Sequence, residues 1–179
     1  MIKLIIILVV IIIVAILALF FFCIYNKLKY LFDKTLYAEK LIKNELDNKL
    51  KCLVKINAQA KKTLRAKKDY LTDINSINDE ELSANELDSK LTGYNTTVLN
   101  LLSDYAKLAN NKEMKKSVDS LYEIDEKLDA AKTYFNNSTS KLISSKSKFP
   151  ASFISKIIGI KIKPLFNTNE DVKKDSEEL

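Results

Sequence analysis

The sequence predicts an all-α protein: a single N-terminal transmembrane helix followed by an antiparallel bundle of three to four helices. Three observations predict this fold class. The first is an uncharged apolar run that begins at Leu4 and ends at Ile24. The second is the scarcity of helix-breaking residues, since the chain holds only 2 Gly and 2 Pro. The third is the recurrence of apolar residues in steps of three and four, which is the period of an amphipathic helix.

The apolar run predicts a membrane span. It contains no charge, no Gly and no Pro, and at about 1.5 Å per residue it reaches roughly 31 Å, the thickness of a bilayer core. Signal-peptide cleavage and lipoprotein processing both need small residues at the processing site. Phe20, Phe21 and Phe22 precede Cys23 instead. We therefore expect residues 1–25 to stay in the lipid bilayer as a permanent transmembrane signal anchor.

Charges beside the span predict its orientation. Lys3 precedes the span, whereas Lys27, Lys29 and Lys34 follow it closely. Lys and Arg near the ends of a span favour the cytoplasmic side. The sequence therefore predicts a single-pass protein whose C-terminal domain lies in the cytoplasm. The lysines after the span can also contact anionic lipid headgroups.

The composition excludes several classes of function. The chain has no His, which excludes His-dependent metal sites and Ser-His-Asp or Cys-His catalysis. Cys23 lies in the span and Cys52 beside a helix seam, so no disulfide is predicted. We expect a protein that is not an enzyme and that holds no metal and no cofactor. Four acids of the last helix are expected to lie mostly beside its seam, facing water: Glu123, Asp125, Glu126 and Asp129.

The net charge of +6 is unevenly distributed along the chain. Basic residues dominate residues 25–70, and acidic residues dominate residues 71–110. This asymmetry favours attraction between neighbouring helices of a bundle. No nucleic-acid-binding motif is present, and the basic residues are spread round their helix, so we expect no nucleic-acid partner.

The first amphipathic helix is predicted over residues 25–75, without a breaker between it and the span. A kink or break near residues 55–68 is left open. With a break, four helices alternate in direction and the tail returns to the bilayer. Without one, three long helices leave the tail at the far end. The predicted seam consists of Leu28, Leu31, Thr35, Ala38, Ile42, Leu46, Leu50, Leu53, Asn57, Ala60 and Leu64.

A turn-like cluster over residues 75–81 predicts the start of a second helix, with Asp79 or Ser83 as its N-cap. Gly93 lies inside this helix and predicts a close approach by another helix. The seam steps by four and three in alternation, as in antiparallel bundle packing. It consists of Leu87, Leu91, Tyr94, Val98, Leu101, Tyr105 and Leu108.

A tight connection at residues 109–112 predicts that the second helix and the last long helix are antiparallel neighbours. The last helix is predicted over residues 113–148, with Pro150 stopping it, so that residues 26–149 form the bundle domain. Its seam consists of Met114, Val118, Leu121, Ile124, Leu128, Ala131, Phe135, Ser138, Leu142, Ser145 and Phe149.

The tail over residues 150–166 interleaves apolar residues with Lys156, Lys161 and Lys163. It is too short to span a membrane. Either it packs on the bundle, or it rests on the bilayer surface with its lysines toward the headgroups. Residues 167–179 are polar and charged, and they are expected to be disordered.

Several stretches resemble a known family when they are taken in order. They are the anchor followed by Tyr25-Asn26, the Ala-rich entry to Tyr134-Phe135-Asn136-Asn137, and Phe149-Pro150 followed by the apolar residues 159–166. Over about residues 1–167 the chain resembles the LemA family of bacterial membrane-anchored helical proteins. This resemblance implies a helical bundle, usually of four helices, on one N-terminal anchor in a bacterial plasma membrane. It implies no known enzymatic activity.

Two functions are therefore expected as alternatives. In the first, the chain is a non-enzymatic, membrane-tethered scaffold or adaptor that binds a membrane protein partner. In the second, it is a membrane-surface protein that binds anionic lipid through its juxtamembrane lysines and residues 153–166. Formation of a homo-oligomer is left open. The expected lipid contacts are Lys27, Lys29, Lys34, Lys156, Lys161 and Lys163.

Overall fold

A computed structural model describes residues 2–77 and 82–168. Within these residues the structure has five helices and no strand, so the all-α prediction is confirmed. They divide into two compact units: an anchor unit of residues 2–38 and 134–165, and a core unit of residues 39–77, 82–133 and 166–168. Helices α1 and α4 contribute to both units. The helices are α1 (Ile2–Leu64), α2 (Ala84–Asp104), α3 (Ala106–Ala109), α4 (Lys112–Lys146) and α5 (Ala151–Ile158).

The predicted seam of α1 is confirmed almost position by position. Leu31 and Leu64 are half-buried, and the other nine seam residues are buried. No residue between the anchor and Leu64 interrupts α1, so the span and the amphipathic stretch are one helix. The seam prediction missed Lys49, which is also fully buried.

The end of α1 differs from the prediction. The helix ends at Leu64, not near residue 75, and its end falls inside residues 55–68, where a kink or break had been left open. Arg65 adopts a left-handed conformation with φ of 53°, and the backbone N–H of Ala66 donates to the carbonyl of Lys61 at 3.0 Å. This is the hydrogen bond of a Schellman cap, which terminates a helix. No Gly marks the position, which is why the sequence did not place the end.

Residues 65–77 form a return segment of turns, not a second half of the helix. Leu71, Ile74 and Ile77 are buried, so the segment contributes to the core although it lacks helical periodicity. The predicted turn cluster is partly described, and Asp79 lies outside the described residues.

Contacts along the core unit define the directions of its helices. Cys52 of α1 reaches Ser117 of α4, whereas Lys49 reaches Asp125, so α1 and α4 are antiparallel. Asp88 of α2 pairs with Lys132 of α4. Asn95, further along α2, donates to Asp125, which lies earlier on α4, so α2 and α4 are also antiparallel. It follows that α1 and α2 are parallel, and the chain between them runs back. The core unit therefore alternates in direction, but its second pass is the return segment, not a helix.

The start of α2 is capped at Ser83. The Ser83 hydroxyl accepts from the backbone N–H of Glu86 at 3.4 Å, and the Glu86 carboxylate accepts from the Ser83 N–H at 2.8 Å. These two bonds form a capping box. The Ser83 hydroxyl also donates to the Glu86 carboxylate at 2.6 Å, and this bond, together with that from the Ser83 N–H, holds the pKa of Glu86 below its ordinary value. Ser83, one of the two predicted caps, is therefore confirmed.

Two other expectations about α2 were wrong. The predicted helix through Leu108 breaks at Tyr105, where φ is −126° and ψ is 88°, and resumes as the short α3. Gly93 is exposed, and no atom of the described residues lies within 4 Å of the position that a Cβ would occupy, so none of the described helices approaches it closely.

Helix α4 begins beside its own cap and ends earlier than predicted. The Asn111 side-chain oxygen accepts from the backbone N–H groups of Glu113 at 2.9 Å and Met114 at 3.1 Å. The helix ends at Lys146 instead of Lys148, before Pro150 is reached. Phe149 is 86% exposed, so its assignment to the seam was wrong. The turn that carries it leads directly into α5.

The anchor unit has its own small core. Leu28 of α1, Leu142 of α4, Ile154 of α5 and Ile160 are buried together, and Ile24 packs against them at the end of the apolar run. Gly159, with φ of 72°, caps α5 in the left-handed conformation that Gly favours. The tail therefore packs beside the N-terminal part of α1. The alternative that left it at the far end was wrong.

Candidate membrane-surface site

Among the described residues, one stretch is long and apolar enough to cross a membrane, and it lies at the start of α1. Its side chains project from a helix that no other described element covers there, and they are exposed from Leu4 to Phe22. Soluble proteins rarely expose a continuous apolar surface of this size. The prediction of an N-terminal helix able to span a bilayer is confirmed.

The six predicted lipid contacts differ in their surroundings. Lys27, Lys29 and Lys156 are exposed on helices of the anchor unit. Lys34 is half-buried, with its Nζ 4.5 Å from the centre of the Tyr30 ring. This neighbour raises the pKa of Lys34 above its ordinary value, so the ammonium group stays charged. Lys161 and Lys163 are exposed beyond the end of α5.

Helix α5 presents two different faces. Ile154 on one face belongs to the core of the anchor unit. On the other face, Phe153 is 59% exposed and Ile157 is 71% exposed, one helical turn apart. Phe149 precedes them by another four residues and is also exposed. Sequence reasoning identified the tail as apolar, but it did not separate the packed residues from the exposed ones.

A groove lies between α1 and α4 within the anchor unit. Its volume is about 490 Å³, and Lys27 of α1 and Lys141 of α4 supply its charged groups. Sequence reasoning missed the contribution of α4. The only signal was a serine-rich stretch with three lysines over residues 138–148. The remaining lining residues are Leu31, Asn137, Ser140, Ser144 and Ser145.

The core unit holds two ion pairs with little exposure. The Nζ of Lys49 lies 2.7 Å from Oδ1 of Asp125, and the Nζ of Lys132 lies 2.6 Å from Oδ2 of Asp88. Asp125 therefore does not simply face water, as the seam pattern had suggested. Within the described residues, no group of three or more His, Cys, Asp or Glu is arranged to hold a metal ion.

Cys52 is half-buried in the same unit. Its Sγ donates to the carbonyl of Ser117 at 3.3 Å, and burial raises the pKa of its thiol above the ordinary value. A nucleophilic cysteine needs a lowered pKa. The environment of Cys52 is therefore that of a packing residue.

A comparison with protein families relates most of this chain to a known family. The model described as the LemA family matches residues 38–177. No curated protein and no solved structure matches the chain. The match begins after the apolar run, so the similarity does not depend on the membrane span.

Proposed function

Since the chain belongs to the LemA family, we propose that it is a non-enzymatic, membrane-tethered helical protein whose C-terminal helix α5 rests on the bilayer surface. The span holds the chain in a bacterial plasma membrane. The excess of lysines after the span favours a cytoplasmic location for the rest of the chain. In this proposal the anchor unit is the part of the protein that meets the lipid.

The observation that carries this proposal is the exposed apolar face of α5. Phe153 and Ile157 are exposed, although Ile154 between them is buried. Helix α5 therefore has two apolar faces, one packed against the protein and one exposed. Ile24, the last residue of the apolar run, packs against the cluster that contains Ile154. The exposed face therefore lies close to the level at which the span leaves the membrane. An apolar helix face at that level, with lysines nearby, is typical of interfacial helices.

Because the chain has no Trp, the fluorescence of one introduced Trp can test whether α5 contacts the bilayer. The Phe153→Trp variant of the full-length protein, reconstituted in vesicles, carries a single indole on the exposed face of α5. We expect blue-shifted emission and strong quenching by lipids with brominated acyl chains. The matched control is Leu99→Trp on α2, which is similarly exposed but lies in the core unit. Equal, weak quenching of both variants would refute contact between α5 and the bilayer.

A second candidate function is the scaffold or adaptor that binds a membrane protein partner. The observation that favours it is the stripe formed by Tyr30 and Tyr37 on α1. Both side chains are 59% exposed, and they lie two helical turns apart, on one face. Exposed tyrosines are enriched at protein interfaces.

Photo-crosslinking in the native membrane tests the scaffold proposal. A photoreactive residue at Tyr37 is expected to give one discrete adduct, whereas the same residue at exposed Glu126 of α4 is expected to give none. An adduct of twice the mass of the chain would identify the partner as a second copy. A diffuse set of adducts shared by both positions would count against a specific partner.

A further inference from the structure

We propose that the groove between α1 and α4 in the anchor unit binds the phosphate of an anionic phospholipid headgroup. This inference deepens the proposed function, on which it rests, because it adds a defined lipid site to a general contact with the membrane. The groove is distinct from the exposed face of α5, since no residue of α5 lines it.

The charged residues that line the groove are positive, which favours an anionic ligand. Lys27 and Lys141 bring two ammonium groups to it from different helices, and no Asp or Glu is among its lining residues. Within the described part of the chain, neither lysine forms an ion pair with a carboxylate. Two like charges held on facing helices repel each other, and a phosphate between them would relieve that repulsion.

The uncharged lining residues suit the same ligand. Ser140, Ser144 and Ser145 supply hydroxyl groups, and Asn137 supplies an amide. No described residue forms a hydrogen bond with these four side chains, so their donors can be used by a ligand. Leu31 is the one apolar lining residue, and it also packs against the core of the anchor unit. The groove is thus mainly polar, with one apolar contact suited to a glycerol backbone or the start of an acyl chain.

The position of the groove favours a lipid over a free phosphate. Lys27 follows the last residue of the apolar run, Ile24, by three positions, or about 4.5 Å along the helix. Leu31 follows it by seven positions, or roughly 10 Å. The headgroup layer extends about 5–8 Å beyond the hydrocarbon core. The Lys27 end of the groove therefore lies at the height of the phosphates. Its volume of about 490 Å³ is large enough for a headgroup.

The binding test uses the full-length protein in detergent after removal of native lipid. Phosphatidylglycerol, phosphatidylcholine and inorganic phosphate are titrated separately, and bound adducts are counted by native mass spectrometry. We expect one phosphatidylglycerol per chain, bound in preference to phosphatidylcholine. The Lys27→Gln/Lys141→Gln variant should bind it roughly 25-fold more weakly, since each of the two lysines near an anionic lipid contributes about a fivefold factor.

Two further variants separate the groove from general surface charge. Lys146→Gln/Lys148→Gln removes the same charge from two lysines of the same unit that do not line the groove, and its affinity should stay close to that of the wild type. Ser144→Leu leaves both lysines in place but fills the groove, and it should lose binding. Circular dichroism checks that each variant is folded.

Two outcomes would overturn the proposal. Equal weakening by the two lysine pairs would show that only surface charge matters, and inorganic phosphate bound as tightly as the lipid would show a free-phosphate site. These results are independent of the quenching of Phe153→Trp. If that quenching persists while the groove variants have no effect, the lipid site fails and the proposed function stands. If the quenching is absent as well, both fail.

Discussion

Oδ1 of Asp125 on α4 lies 2.7 Å from the Nζ of Lys49 on α1, and the Lys49 side chain is only 1% exposed. The same Nζ also donates to the hydroxyl of Thr92 on α2 at 3.4 Å. One ammonium group therefore links three helices of the core unit. Because a charge away from water is costly unless it is paired, the stability of this unit depends on a single carboxylate.

Removal of that carboxylate should destabilise the protein more than removal of the charge pair. In Asp125→Ala the Lys49 ammonium stays buried without its partner, and we expect the free energy of unfolding to fall by about 2–4 kcal/mol. In Lys49→Met/Asp125→Ala the buried position becomes apolar, and the loss should be about 1 kcal/mol or less. Urea unfolding of the full-length protein in detergent, followed by circular dichroism, measures both.

The exposed ion pair of Lys51 and Asp47, one helical turn apart on α1, provides the control. Asp47→Ala should change the free energy of unfolding by less than about 0.5 kcal/mol, because exposed pairs contribute little. If Asp125→Ala is as stable as the double variant, the buried ammonium group of Lys49 does not need the Asp125 carboxylate, and the prediction is wrong.

Periodicity predicted most of the helices because their burial follows one face. The α1 seam from Leu28 to Ala60 was found from steps of three and four alone, since each residue repeats the same local rule. Lys49 lies at the seam spacing, three positions after Leu46 and four before Leu53, but a charged residue is not expected to be buried. It is adjacent to Leu50 in the sequence, and its burial depends on Asp125, which lies 76 positions away along the chain. A pattern read along one helix cannot report a partner on another.

The same limit explains why the return segment and the groove were not predicted from the sequence. Arg65 ends α1 in a conformation that sequence rules reserve for Gly or Asn, and the buried residues after it have no helical period. The groove needs Lys27 and Lys141 to come together from helices that are distant in sequence. Lys27 was predicted as a lipid contact from its distance to the span, but Lys141 has no such local signal.

Asn57 should be among the most sensitive polar positions of the core unit. Its side-chain oxygen accepts from the backbone N–H groups of Tyr70 at 3.0 Å and Leu71 at 3.2 Å, so it fixes the return segment to α1. In Asn57→Ala both donors lose their partner, and we expect a loss of about 2–3 kcal/mol in the free energy of unfolding. Hydrogen exchange of the Tyr70 and Leu71 amides should accelerate in parallel.

Asn48 on the exposed face of α1 is the matched control, since among the described residues its side chain bonds only to nearby Glu45. Asn48→Ala should change the free energy of unfolding by less than about 0.5 kcal/mol. If the two Asn variants are equally stable, the return segment is held by other contacts.

The return segment should also respond to acid. Oδ1 of Asp69 accepts from Lys61 at 3.0 Å and from Asn57 at 2.7 Å, and these bonds hold the pKa of Asp69 below its ordinary value. A lowered pKa in the folded state stabilises the protein fully above the ordinary pKa of Asp, and this contribution is lost as the pH falls through the lowered one.

The Asp69→Asn variant measures this contribution. Its thermal midpoint should lie below that of the wild type near neutral pH, and the gap should close as the pH falls into the acid range. A gap of constant size down to acid pH would show that the charge of Asp69 does not stabilise the segment.

The 2 Gly of the chain should respond to Ala in opposite directions. Gly93 lies inside α2, where an added Cβ meets no atom within 4 Å among residues 2–77 and 82–168, whereas Gly159 has φ of 72° at the end of α5. Ala restricts the unfolded chain and favours a helix, so Gly93→Ala should raise the free energy of unfolding by about 0.5–1 kcal/mol. Gly159→Ala forces a Cβ into a left-handed conformation and should lower it by about 1 kcal/mol. Urea unfolding of the two variants measures both changes. If the free energy of unfolding changes in the same direction in both, the conformations assigned to the two glycines are contradicted.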